Sequence, residues 1–115
     1  MNNNHKTILT IFLLIFCIVS CSTSDGHSIT GNNGIFKGTV KNEKMEIFLN
    51  AMLDMFEDPK YEGYDIVNKN KDKKYSFKFD NIRTIEELLI YLETELDLKI
   101  KNLKNEKILL IQKGV

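Results

Sequence analysis

Tyr75-Ser76-Phe77-Lys78-Phe79-Asp80-Asn81, followed by Thr84-Ile85-Glu86-Glu87-Leu88-Leu89-Ile90-Tyr91-Leu92, passes from one hydrophobic period to another within 18 residues. Tyr75, Phe77 and Phe79 alternate with Ser76, Lys78 and Asp80, the period-two pattern of a strand with one buried face. Thr84 with Glu87 three positions on is a capping-box signal for a helix start. Ile85, Leu88, Leu89, Leu92 and Leu96 then recur at three- and four-residue steps and form one apolar face. A strand period giving way directly to a helical one predicts a mixed fold.

The pattern continues in both directions. Downstream, Leu98 and Ile100 alternate with lysines, 102–106 reads as a turn, and 107–112, with Ile108-Leu109-Leu110-Ile111, reads as a last strand. Upstream, 35–40 is a plausible strand, and Asn42 can cap a helix starting near Glu43. Met45, Phe48, Leu49, Met52 and Phe56 give that helix its apolar face, and Pro59 helps to end it. Tyr61–Val67 reads as a strand and 68–74 as a charged turn. At an offset of 40 residues the two helices superpose, Met45 on Ile85, Phe48 on Leu88, Leu49 on Leu89, Met52 on Leu92 and Phe56 on Leu96. Two βαβ-like halves produce such a match, and so does the common period of any two amphipathic helices. The order βαββαββ predicts a small α+β domain over 35–115, a sandwich of two helices packed on one sheet.

At 115 residues the chain has room for one domain. Its 16 basic and 16 acidic residues balance. Lys6 is the only charged residue before Cys21, so the remainder carries a net charge near −1. That argues against nucleic acid, which favours a clustered basic surface, and gives no strong overall drive toward anionic lipid. Both cysteines, Cys17 and Cys21, close an apolar run, and none follows. A disulfide framework and a thiolate zinc site are thereby excluded from the body.

The N-terminus reads as an export signal over 1–20. Met1–Lys6 is polar with one positive charge, and Thr7–Val19 is an apolar run of 13 residues, the length of a signal core and short of the roughly 20 residues a spanning helix needs. Residues 22–34, Ser-Thr-Ser-Asp-Gly-His-Ser-Ile-Thr-Gly-Asn-Asn-Gly, are small and polar without an apolar period and read as a flexible tether. Asp25 and His27 could hold a metal weakly there; a solvated linker histidine is the simpler reading.

The body is poor in reactive groups. After residue 34 there is no His, Cys or Trp, and Ser76 is the only serine, in a strand pattern. Ser-His and Cys-His pairs are thereby removed from it, as is a glycine-rich phosphate loop. No catalytic residue, metal site or cofactor is expected. The carboxylates Asp54, Glu57 and Asp58, and Glu93, Glu95 and Asp97, gather at the two helix ends and read as solvated faces, and their spacing matches no calcium loop. Lys69, Lys71, Lys73 and Lys74 form a basic turn that reads as a solvated hairpin, with phosphate or lipid headgroups as the alternative. Tyr61, Tyr64 and Tyr91 suit either a protein contact or core packing.

Ile18-Val19-Ser20-Cys21 resembles the lipobox of bacterial lipoproteins: an aliphatic residue, a small or aliphatic one, a small one and the acceptor cysteine. The resemblance implies that the Cys21 thiol receives diacylglycerol, that a signal peptidase cuts between Ser20 and Cys21, and that the new amino group is acylated. A thiolate is nucleophilic near neutral pH where a hydroxyl is not. Cys17 fits badly, because Phe16 stands where a small residue is needed. The implied location is a bacterial membrane, on its non-cytoplasmic side. In a Gram-negative cell Ser22, which is not the aspartate of inner-membrane retention in enterobacteria, favours the outer membrane.

The body from Tyr75 onward is also similar, as a pattern, to the short βαβ domains of secretins and TonB-dependent receptors, to the C-terminal domain of FecR-type regulators, and to a domain of unknown function in bacterial thioredoxin-like and lipoprotein sequences. The resemblance implies a periplasmic adaptor that binds other proteins, and it carries over no catalytic residue. The expectation is a lipid-anchored, non-enzymatic interaction module with a protein partner. A small lipoprotein inhibitor, or an immunity-type protein against an enzyme or toxin, is the alternative.

Overall fold

A computed structural model describes residues 24–114. The expected signal peptide over 1–20, the expected cleavage site Ser20–Cys21 and the expected lipidation site Cys21 lie outside the described residues. Six strands and two helices follow one another as β1 (Gly26–Asn32), β2 (Ile35–Lys44), α1 (Met45–Phe56), β3 (Asp65–Asn68), β4 (Lys74–Ile82), α2 (Ile85–Leu96), β5 (Leu98–Leu103) and β6 (Ile108–Lys113). The class is α+β, as the alternation of periods predicts. Behind one added strand, the order is βαββαββ.

That added strand corrects the reading of 21–34 as a flexible tether. β1 pairs antiparallel with β2 from Gly26 opposite Lys41 to Asn32 opposite Ile35. Asn33 and Gly34 join them, both at positive φ (56° and 78°). A two-residue loop with both φ positive has the twist that tight hairpins require, and Asn-Gly is its preferred sequence. The small polar residues therefore form an edge strand, and the ordered body starts well before residue 35.

The expectation of one sheet is also corrected. Strands β1-β2-β4 form one sheet and β3-β6-β5 a second, in which β3 runs parallel and β5 antiparallel to β6. Each helix packs on one strand of each sheet, α1 on β2 and β3, α2 on β4 and β5. A helix is about 10 Å across. A strand leaving it on its far side therefore cannot ladder with the strand that led into it, and β3 and β5 pair with β6 instead. The core is continuous across the layers: Val40 and Phe79 from the first sheet, Phe48, Leu49, Met52, Leu88 and Leu92 from the helices, and Leu98 and Ile111 from the second sheet.

Local boundaries shift for stated reasons. β2 continues to Lys44, opposite Lys74, so α1 starts at Met45 rather than Glu43. Asn42 caps no helix. It sits at φ 50° in a bulge of β2, and its N–H donates to the Ser76 hydroxyl at 2.8 Å. The strand expected over Tyr61–Val67 is shorter, because Pro59 opens a 3₁₀ turn over Pro59–Tyr61 with Asp58 accepting from the Lys60 N–H. Pairing begins only at Asp65. At α2 the Thr84 hydroxyl accepts from the Glu87 N–H at 3.0 Å, while the Glu87 carboxylate accepts from the N–H of Arg83, one residue before the cap. Both helices span 12 residues at the offset of 40 and end on a left-handed residue, Glu57 and Asp97.

Gly38 sits where β1 and β2 approach the core. A Cβ there would lie 2.7 Å from the Ser28 carbonyl oxygen and 3.0 Å from the Phe79 ring. The first neighbour is backbone, so it cannot swing aside. Gly38→Ala is expected to lower stability by about 1–3 kcal/mol, the range for overpacking, as read by urea denaturation.

Candidate functional site

A sheet edge offers unpaired backbone donors and acceptors, and proteins commonly block such edges. Four strands here are edges, β1, β4, β3 and β5. Three of them are blocked. β3 is only four residues long. On β4 the Lys78 carbonyl accepts from the Tyr91 hydroxyl, which reaches over from α2. On β5 the Ile100 N–H donates to the Glu93 carboxylate at 2.8 Å, and Lys99 and Lys101 place charges along the strand.

β1 has none of these devices. It carries no lysine, carboxylate or proline, runs for seven residues, and exposes Ser28, Thr30, Gly31 and Asn32. Among the described residues, its hydrogen bonds are those of the β2 ladder and one made by a side chain. That one holds the strand in place: His27 Nδ1 lies 2.8 and 3.0 Å from the Glu43 carboxylate oxygens. Their side chains are 29% and 8% exposed, and the imidazole meets the Phe48 ring edge-on with centroids 6.5 Å apart. A buried carboxylate is costly without a partner, so Glu43 fixes where β1 must sit. His27 is therefore a structural anchor and not a solvated linker residue. Asn42 adds a second tie, its Nδ2 donating to the Asp25 carboxylate at 3.0 Å. Beside the strand, on the outer face of its sheet, is a shallow hollow of about 580 Å³ lined by Ser28, Thr30, Lys37, Thr39 and Asp80, a shelf of hydroxyls and both charges.

The tyrosines separate into three roles. Tyr61 is buried, meets Tyr64 edge-on at 5.1 Å, and donates to the Glu86 carboxylate at 2.8 Å. Lys60 Nζ lies 3.0 Å from the same carboxylate. Burial, with Glu86 beside it, holds the Tyr61 hydroxyl far above the usual phenol range, so it acts as a donor. The hydrogen bonds from Lys60 and Tyr61 hold Glu86 below the usual carboxylate range. Tyr64 donates to Asn102 at 2.9 Å. Tyr91 is the β4 edge guard.

The first carboxylate group, Asp54, Glu57 and Asp58, lines one hollow of about 450 Å³ with Glu62, while the second is dispersed. Asp58 accepts from the Lys60 N–H, Glu93 caps an N–H of β5, and the Asp97 carbonyl accepts from the Gly114 N–H. Among the described residues no three His, Cys, Asp or Glu side chains are placed to hold a metal ion. Ser76 accepts a backbone N–H from Asn42 and is not placed against His27. Lys69, Lys71, Lys73 and Lys74 are exposed around the turn before β4, with Lys73 Nζ 5.4 Å from the centre of the Tyr75 ring. No helix among the described residues is long and apolar enough to cross a membrane.

The β1 edge and its His27–Glu43 anchor escape a reading by composition. Asn33-Gly34 was the available signal for the strand; nothing in the sequence marks Glu43 as buried. Compared with family models, with curated proteins and with solved structures, the chain matches none.

Proposed function

We propose that this chain is a lipid-anchored, non-enzymatic protein-binding module of the bacterial cell envelope. Cys21 carries the lipid after cleavage behind Ser20, and β1 takes up an extended segment of a partner protein as a further strand. Such β-augmentation uses main-chain hydrogen bonds for affinity and the neighbouring surface for selectivity. The observation that supports this reading most is the contrast among edges: three are blocked by length, side chain or charge, and β1 is open beside a polar shelf.

The test is crosslinking in intact cells followed by purification of the chain from membranes, with wild type and the double variant Ser28→Lys, Thr30→Lys. Both positions are exposed, so the variant keeps its fold, which circular dichroism checks. Two added lysines disfavour strand pairing. A specific crosslinked partner is expected with wild type and is expected to be lost with the variant. Recovery of the wild-type chain alone, or of the same partner at the same yield with both, overturns the reading.

A further inference from the structure

We propose that the end of the domain where β1 begins rests on the membrane surface, and that its lysines contact the anionic headgroups of the bilayer. The inference rests on the lipid at Cys21 proposed above and adds an orientation to it.

Chain length sets the first constraint. Cys21 precedes Gly26, the first residue of β1, by five positions. Five residues fully extended span at most about 18 Å. With the tether reduced to this, the start of β1 stays close to the headgroups.

The topology then decides what else is at that end. Gly26 stands opposite Lys41, and Lys44 opposite Lys74. β3 ends there as well, because Asn68 donates to Glu46 at 2.7 Å, and the turn carrying Lys69, Lys71 and Lys73 follows directly. Six lysines thus surround the point where the anchored chain enters the fold. The carboxylates among them are Asp25, Glu43, Glu46 and Asp72; Glu43 is paired with His27, Asp25 accepts from Asn42, and Glu46 accepts from Asn68. On the second sheet's corner of the same end, Lys99 and Lys113 offset Glu95 and Asp97. Ile47, half exposed at 49%, lines a hollow with Lys44 and Lys74 and adds an apolar contact at headgroup depth. At the opposite end Asp54, Glu57, Asp58, Glu62, Asp65, Glu86, Glu87 and Glu106 outnumber Lys60, Arg83, Lys104 and Lys107. The near-zero net charge of the chain therefore conceals an uneven distribution. Single lysines attract anionic lipid weakly, but a domain already held at the surface by its anchor meets the headgroups at high effective concentration.

The full mature, acylated chain is reconstituted into vesicles of phosphatidylcholine alone and of equal parts phosphatidylcholine and phosphatidylglycerol. Each lysine's rate of reaction with a water-soluble amine reagent is then read by mass spectrometry. In the anionic vesicles Lys41, Lys44, Lys71, Lys73 and Lys74 are expected to react about fivefold more slowly than in the neutral ones, with Lys101, Lys104 and Lys107 unchanged. High salt is expected to remove the difference. The pair Lys71→Glu, Lys73→Glu, in an exposed turn, is expected to restore the rates at Lys41 and Lys44. Equal rates at both ends of the acylated chain, or the same slowing in neutral vesicles, overturn the orientation while leaving the anchor intact. A mature N-terminus without lipid, read by intact mass, overturns both together.

Discussion

Cys21→Ser is expected to abolish fatty-acid incorporation into this protein. The serine hydroxyl is not ionised near neutral pH and cannot replace the thiolate in forming the thioether. Without that modification the bond after Ser20 is no longer the substrate of the lipoprotein peptidase. The expected products differ in two measurable ways. Wild type, grown with labelled palmitate, carries label and has a mature chain starting at Cys21. The variant carries no label and retains residues 1–20, including the 13-residue apolar run. The effect on incorporation is expected to be all-or-none, because the variant has no thiolate at position 21 to form the thioether. Palmitate in the variant, or a wild-type chain still starting at Met1, would sink the lipoprotein reading.

Phe48→Ala is expected to have the largest effect on folding among alanine substitutions of the fully buried side chains, about 3–5 kcal/mol. Phe48 is fully buried on α1. Its ring meets Phe77 edge-on at 5.2 Å and Phe79 at 5.6 Å, so it joins the helix to β4, and through His27 it also supports β1. Domains of this size have total stabilities of roughly 5–15 kcal/mol, so the loss takes up much of the margin. The adjacent Ile47 is exposed, and Ile47→Ala is expected to change stability by no more than about 0.5 kcal/mol. Urea denaturation of the two variants provides the comparison. A Phe48→Ala midpoint close to that of Ile47→Ala would show that the core is not organised around this ring.

Much of the fold was legible because periodicity is local. Tyr75, Phe77 and Phe79 face inward or partly inward as their alternation requires, and Met45, Phe48, Leu49 and Met52 occupy the buried stripe of α1. The Thr84 cap was readable from two residues at fixed spacing. The candidate site was far less legible. The seven residues of β1, mostly small and polar with Ile29 alone apolar, carry no apolar period, yet they form a strand. Backbone pairing with β2, the turn at Asn33-Gly34 and the contact of His27 with Glu43 over 16 positions order them.

By itself, the sequence determined the alternation of strands and helices, which faces of the helices are apolar, the α+β class and the short list of chemically capable residues, because each of these depends on neighbours within a turn or a few positions along a strand. Long-range packing is what divides the strands into two sheets, orders β1 with an open edge, buries Glu43 against His27, and gathers the lysines of separate segments where the chain enters the fold. Those features depend on which segments become neighbours after the helices have taken up their space, and no local period encodes that distance.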